Sequence, residues 1–348
     1  MNKKKLITRL GLVAMMFSSA VTFAQDVHFS QVDMTPLSYN PAFTGMFYGK
    51  LRANAMYRSQ WNNITNGYTT QAVSLDYPMY SNGAGDYLAN GIAVYNDKAG
   101  DGNLSSLSAL VSFAYHKTFG GNGNSFSGSD LAVGLQGGYA QKSVDLTKLY
   151  FGDEFHNGVF NQGTTADKSM GNNVNYYIVN AGISFAQATG PKFSYVLGVS
   201  ANNINQPNDN ILKKAGTEAV LDMRLCGNLG IIWKAGDRLS LRPMVMYQTQ
   251  ASATELIAGN EFNFAMTGQY GETQFTPSIF VGGYLRNGDA MIFNAGFEAA
   301  NFRVAAAYDF NISELNTVSN GNGGFEIGLR YISPYKYSRY RSIPCSRF

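Results

Sequence analysis

The sequence predicts an all-β fold, a transmembrane antiparallel β-barrel of about fourteen strands, on three observations. From about residue 49 to residue 332, apolar side chains alternate with small or polar ones in segments of roughly ten residues, punctuated by Gly, Asn and Asp. A strand with one face on lipid and the other on a polar lumen has this pattern. No segment is apolar for long enough to be a membrane helix. Charged residues make up only 14%, against about 25% in soluble proteins, while aromatics reach 14% and glycines number 38.

The first residues read as a secretory leader. Lys3, Lys4, Lys5 and Arg9 form a basic start, residues 10–17 an apolar run, and Ser18, Ser19 and Ala20 lead to Thr22-Phe23-Ala24. Residues 1–24 are therefore a signal peptide cleaved after Ala24, too short in its apolar run to span a membrane. No cysteine follows the site, so a lipid anchor is not expected. Removing 24 of 348 residues leaves a mature chain of 324. Loss of the four basic leader residues takes the formal net charge from +3 to −1, so no nucleic-acid partner is expected.

Residues 25–48 do not alternate. Pro36, Pro41, several aromatics and a turn at Gly45 mark a pre-barrel segment, placed either in the periplasm or as a plug in the lumen. Asn40-Pro41 sets a turn, since proline presets its own φ and biases Asn40 to extended geometry; one role for it is to start the first strand. The barrel, residues 49–332, follows. Leu51, Ala53, Ala55 and Tyr57 share one face and Arg52, Asn54 and Arg58 the other. Val73, Leu75 and Tyr77 oppose Ser74 and Asp76, and a short strand lies near 91–95. Leu107, Ala109, Val111, Phe113 and Tyr115 oppose Ser106, Ser108 and Ser112. Leu131, Val133, Leu135 and Tyr139 oppose Gly134, Gln136 and Gly138. Tyr177 to Phe185 alternate with Asn180, Gly182 and Ser184, and Phe193 to Val199 with Ser194, Gly198 and Ser200. Leu221 to Trp233 and the stretches 239–247, 256–266, 275–285, 291–297, 302–310 and 325–331 complete the set.

The polar face is read as mostly Gly, Ser, Asn and Gln with few charges, which suits a lumen filled by small polar side chains better than a soluble exterior. Barrels of this kind have short periplasmic turns, longer outer loops and both termini inside. With the first strand running outward, the long connections near 141–173, 202–217 and 311–322 fall outside, and the short ones at 234–237, 272–273 and 299–301 inside. Inner connections near 79–89 and 119–129 are longer than this rule; the second holds the flexible run Gly120-Gly121-Asn122-Gly123-Asn124-Ser125. Asn322, Gly324, Ile327 and Leu329 have the spacing of an insertion signal in a final barrel strand.

Catalytic and metal motifs are missing. His28, His116 and His156 stand far apart and read as isolated polar residues. Gly182-Ile183-Ser184-Phe185-Ala186 is not a nucleophile elbow, because it ends in alanine and lies in a strand. Asp153, Glu154 and His156 either bind a divalent cation or form a solvated loop, the second reading being preferred. No cofactor and no enzymatic activity are expected. Cys226 and Cys345 are read as unlinked thiols, a disulfide remaining the alternative. The tail, 333–348, carries Lys336, Arg339, Arg341 and Arg347 without an acid, interleaved with Tyr335, Tyr337, Tyr340 and Phe348. It is either an interfacial tail at the lipid headgroups or a periplasmic docking peptide.

The ends of the chain carry a resemblance. Gln25-Asp26-Val27-His28-Phe29-Ser30-Gln31, Pro36-Leu37, Tyr39-Asn40-Pro41-Ala42 and Gly45 resemble the N-terminal signature of the PorP/SprF family, outer-membrane proteins of the type IX secretion system of Bacteroidetes. Arg58-Ser59-Gln60-Trp61 and Ala201-Asn202-Asn203-Ile204-Asn205-Gln206-Pro207 are similar to motifs after its first and a middle strand. Pro344-Cys345-Ser346-Arg347-Phe348 resembles its terminus, with Ser346 where proline is common.

The resemblance implies a non-enzymatic outer-membrane component that supports secretion or surface attachment of cargo, including adhesins used in gliding motility. The implied partners are cargo with a C-terminal sorting domain, periplasmic peptidoglycan-binding or secretion-system subunits, and the lipid bilayer. Candidate contact residues are Asn40, Pro41, Gly45, Arg58, Trp61, Asn205, Gln206, Pro207, Arg339, Arg341, Arg347 and Phe348. The rival readings are a FadL-like or porin-like channel for hydrophobic or small solutes, and a soluble secreted β-protein.

Overall fold

The computed structural model describes residues 28–334 apart from 62–66, 82–84, 101, 121–126, 150–151, 157–158, 162–170, 212–219, 267–276 and 315. The predicted leader and the tail beyond Pro334 lie outside the described residues. Fourteen strands form one closed antiparallel barrel. Along the chain they are β1 (Leu51–Gln60), β2 (Tyr68–Ser81), β3 (Tyr87–Ala99), β4 (Leu104–Phe119), β5 (Ser127–Ser143), β6 (Asn173–Thr189) and β7 (Phe193–Asn202). They continue as β8 (Arg224–Lys234), β9 (Leu239–Gln250), β10 (Ala253–Ala265), β11 (Ser278–Arg286), β12 (Ala290–Ala299), β13 (Phe302–Asn311) and β14 (Asn322–Ser333). Each pairs with its sequence neighbours, and β1 pairs with β14 from Leu51↔Ser333 to Gln60↔Gly324, which closes the ring. A two-residue hairpin, Phe155–His156 with Val159–Phe160, stands apart in the β5–β6 connection.

Period-two alternation explains which side chains face out. Val73, Val111, Phe113, Leu135, Val199 and Ile279 are exposed on the barrel surface, while Ser74, Ser112, Gln136, Asn180 and Ser200 are buried inside. An exposed apolar exterior on a closed barrel has lipid as its natural solvent, and closure leaves no sheet edge to desolvate. No helix among the described residues is long and apolar enough to cross a membrane.

Several boundaries differ from expectation. The strand near 91–95 runs from Tyr87 to Ala99, with Ala89, Ala93 and Tyr95 inward and Leu88, Ile92 and Val94 outward. Small and polar residues on both faces had hidden its length. Leu221 is not on a lipid face: it is buried ahead of β8, its N–H donating to the Pro207 carbonyl. β10 ends at Ala265 and β11 begins at Ser278, so the short turn expected at 272–273 is part of a longer connection and lies outside the described residues. β2 runs through Pro78 because β1 pairs no further than Asp76; the proline, lacking an N–H, sits on that open edge beside a register shift.

The long connections 144–172, 203–223 and 312–321 share one mouth, here called outer, and the short ones 190–192, 235–238 and 300–301 share the other. Val111 is 45% exposed at the middle of β4. Val111→Arg should therefore cost about 2–4 kcal/mol in a bilayer. Refolding yield into vesicles, read as heat-dependent gel mobility, checks this; a wild-type yield would mean that the face does not meet lipid.

Candidate functional site

Residues 28–47 lie inside the lumen and are almost all buried, which decides between the two placements open from sequence. Their regular structure is three single turns: Val32–Met34, Pro36–Tyr39 and Pro41–Phe43. Pro36 and Pro41 each open a turn and bar the preceding one from continuing. These turns and the bends beside them pair the N–H groups of Met34, Thr35, Ser38, Asn40, Phe43, Thr44, Met46 and Phe47 inside the segment, and leave others, Ser30, Gln31 and Gly45 among them, without a backbone partner there. Buried, those groups must be satisfied, and the barrel wall does it with side chains.

The inventory runs along the segment. Glu326 accepts the Ser30 N–H at 2.7 Å and the Gln31 N–H at 2.9 Å. Arg330 donates to the Asp33 carbonyl, Gln136 to Leu37 at 3.2 Å and Arg224 to Ser38 at 2.8 Å. Ser200 and Asn202 donate to the Tyr39 carbonyl. Arg52 donates to the Phe43 carbonyl at 2.9 Å, and Asp76 accepts the Gly45 N–H at 2.7 Å. The Thr44 carbonyl meets His116 Nε2 at 2.8 Å; a carbonyl only accepts, so Nε2 carries the proton.

These partners trace the path. Arg286, Asp309 and Glu326, around Ser30, sit near the outer ends of their strands. Arg303 and Arg330, at Asp33, are near the inner ends. The chain climbs to Arg224 and Asn202 at the outer ends, then descends to Arg52 and His116. The first described residue, His28, thus lies toward the outer mouth. Its Nε2 approaches Glu255 at 3.9 Å.

One wall of the lumen is shaped for the Asn40-Pro41 turn. Asn40 is extended (φ −147°, ψ 117°) as the residue before proline should be, and its Oδ1 accepts the Ala42 N–H at 2.9 Å. Its Nδ2 donates to the carbonyls of Ile183 and Val199 at 3.2 and 3.3 Å. The turn thus docks on β6 and β7 and does not start the first strand. Gly134 and Gly182 face each other across β5 and β6. A Cβ on Gly182 would come within 2.0 Å of Asn40 Oδ1, and one on Gly134 within 2.3 Å of the Pro41 carbonyl carbon. Gly45, at φ +74°, is held for two reasons: its backbone is left-handed, and a Cβ would meet that of Ala89 at 2.3 Å.

The opposite wall is charged, which corrects the expectation of a lumen of small polar side chains. Arg58 pairs with Asp309 at 3.1 Å and with Glu326 directly opposite it, and Arg286 reaches the same Asp309 oxygen at 3.1 Å. The Ser30 hydroxyl donates to Asp309 at 2.7 Å and accepts from Arg58 and Arg286 at 2.6 Å each. Below, Arg303 pairs with Glu298, with Glu261 at 2.6 Å and with Asp33 at 3.3 Å, and Arg242 joins Glu298 at 3.0 Å. Near the inner end Arg52 forks onto Asp76 with two 2.9 Å bonds. Tyr87 stacks on His116 at 4.1 Å while Asp130 holds Nδ1 at 2.9 Å. His116 is therefore a buried, fully engaged residue and not an isolated polar one.

Of the residues singled out from sequence, Asn40, Pro41, Gly45 and Arg58 all lie in the lumen but at separate places, the Asn40-Pro41 turn on β6 and β7, Gly45 at Asp76 and Arg58 at Asp309 and Glu326. Trp61 stands at the end of β1 with φ 55°, its N–H on the Gly323 carbonyl at 3.2 Å and its ring edge-on to Tyr68. Asn205, Gln206 and Pro207 lie apart from these, at the outer mouth. β6 extends past the end of β7, and Asn205 covers the overhang, donating to the Tyr177 carbonyl at 2.7 Å and accepting the Val179 N–H at 3.0 Å. Arg339, Arg341, Arg347, Phe348 and Cys345 lie outside the described residues. Cys226 is buried beside Asn202. In the loop proposed as solvated or cation-binding, Asp153 is exposed but Glu154 is buried; the His156 side chain lies outside the described residues.

Sequence reasoning missed Asp130, Glu261, Arg286, Glu298, Arg303, Asp309, Glu326 and Arg330. Their signal was present: each is a charge at an inward position of an alternating strand. Gly182→Ala should cost about 1–3 kcal/mol by driving a Cβ into Asn40. Gly227→Ala, with nothing within 4 Å of its Cβ, should change little. Urea midpoints in micelles compare the two; equal midpoints would mean that the turn is not wedged against β6.

Residues 21–331 match the description of a type IX secretion system membrane protein, PorP/SprF. No curated protein matches the chain. Similar solved structures include the CymD monoaromatic hydrocarbon channel, 10% identical at a TM-score of 0.46 over 87% of this chain and 94% of that one. The Ralstonia pickettii toluene transporter TbuX is 10% identical at 0.44, over 85% and 93%. An outer-membrane channel from Pseudomonas putida F1 is 11% identical at 0.42, over 88% and 99%. The closed barrel with its lipid-facing exterior and the match over nearly its whole length lead to one conclusion: this chain is an outer-membrane barrel belonging to the PorP/SprF family of type IX secretion system membrane proteins.

Proposed function

We propose that the chain is a closed, non-enzymatic part of type IX secretion that supports export or cell-surface attachment of cargo proteins, gliding adhesins among them, and does not conduct solutes. The observation that carries this reading is the plug. Residues 28–47 run through the lumen from one mouth toward the other, and their backbone groups are held by wall residues on β1, β2, β4, β5, β7, β8 and β14. A diffusion pore needs a continuous aqueous path, and this lumen is occupied along its length.

The partners of such a part are secreted polypeptides with a C-terminal sorting domain and periplasmic subunits that bind peptidoglycan or belong to the secretion machinery. The basic, aromatic tail after Ser333 is the segment proposed to meet the periplasmic side, because β14 ends at the inner mouth. Arg339, Arg341, Arg347 and Phe348 are its proposed contacts. In cells lacking the native gene, full-length protein should restore surface display of co-encoded cargo. Protein truncated after Ser333 should fold but lose most of that display. Display unaffected by loss of the whole gene would sink the reading; full activity of the truncated chain would remove only the tail from it. In liposomes the full-length barrel should pass neither small sugars nor toluene above the lipid background. Flux comparable with an open porin would favour the channel reading instead.

A further inference from the structure

We propose that the lumen wall is a binding site for irregular polypeptide and that residues 28–47 are its resident, exchangeable ligand. The inference rests on the secretion reading above for the kind of chain that would compete: a turn-rich, apolar segment of a secreted polypeptide.

Recognition is through the backbone. One carboxylate, Glu326, takes two consecutive N–H groups, and Gln136, Arg224 and Arg52 each donate to one carbonyl of the segment. Every polypeptide carries these groups and small hydrophobic solutes carry none, so a wall built to satisfy them is selective for peptide. Side-chain demands are concentrated at Ser30 and Asp33, which join the charged wall, and Asn40, which fills the glycine wall. The apolar side chains Phe29, Met34, Leu37 and Phe43 add burial, which is non-directional.

Attachment is by a single covalent link at 48–50, where Lys50 is exposed; the other contacts are hydrogen bonds, ion pairs and packing. The segment also comes close to both mouths, Ser30 beside the last residue of β11 and Thr44 beside the inner end of β4. A competing chain can therefore gain the wall contacts one at a time from either end, replacing each resident contact as it goes. Tethering gives the resident segment an effective concentration of order millimolar, which keeps the site closed until a competitor is delivered at high local concentration.

The test uses full-length protein in micelles with a protease site inserted at 48–50, and a fluorescent synthetic peptide of residues 28–47 as the probe. After cleavage the barrel should keep its heat-dependent gel mobility and take up the peptide. Uptake by uncleaved protein should be at least about tenfold lower, because the tethered segment competes. A probe carrying Asn40→Ala should bind about tenfold more weakly, for the loss of three hydrogen bonds at one turn. Cleaved protein that retains its own segment and takes up no label would overturn the proposal. So would loss of the folded mobility on cleavage, since the segment would then be part of the barrel core. Failure of the secretion reading registers separately, as unchanged surface display in the gene deletion, and leaves the peptide exchange untouched.

Discussion

The demand that buried backbone polar groups find partners organises this molecule. Twenty consecutive residues, 28–47, lie in the lumen, almost all buried, with only three single turns among them. Their N–H and C=O groups cannot be left unpaired there without a cost comparable to a lost hydrogen bond for each. The wall therefore has to present donors and acceptors at matched heights, and the identities of its inward side chains follow. Arginine is used where a carbonyl must be reached from a distance, carboxylate where two N–H groups point the same way, and glycine where a turn must come against the sheet.

Placing charges in that wall brings its own requirement. An unpaired buried ion is costly, and a pair recovers its desolvation only with good geometry and further hydrogen bonds. The lumen answers with shared groups. Asp309 serves both Arg58 and Arg286, and the Ser30 hydroxyl sits among all three. Glu298 serves Arg242 and Arg303, and Asp33 of the plug completes the second cluster. The plug is thus part of the neutralisation of the wall as well as a filling of the space. Removing it would expose both an unsolvated segment and a set of undercompensated ions.

Much of the exterior was legible in sequence, and little of the interior. Val111, Phe113 and Tyr115 announce a lipid face because hydrocarbon accepts only apolar side chains, at every second position. The 87–99 strand was underestimated because its inward residues, Ala89 and Ala93, are as nonpolar as its outward ones and blur the contrast. Arg58 and Asn40 drew attention as parts of short motifs, yet nothing local says that each bonds a group on another wall. Glu326 went unnoticed although it grips the plug, since its partners Ser30 and Gln31 are almost three hundred positions away in the chain. His116 read as isolated for the same reason: Asp130, Tyr87 and Thr44 meet it only across three strands and the plug.

What the sequence determined alone is the set of properties with a local period. Alternation, turn residues and low charge specify strands, their two faces and hence a barrel in a membrane, because each residue's choice between lipid and lumen is made against its immediate neighbours. The short motifs near the N-terminal end, after the first strand and in the middle also pointed together to the family that the match over residues 21–331 shows. Only the tertiary structure decided that residues 28–47 occupy the lumen, that the lumen holds clusters of arginine and carboxylate, and that Asn40, Gly45 and Arg58 each bond a different part of it while Trp61 and Asn205 stand outside. Those outcomes depend on ring closure. Pairing β1 with β14 brings Arg58 of the first strand against Glu326 of the last, and no window along the chain contains both.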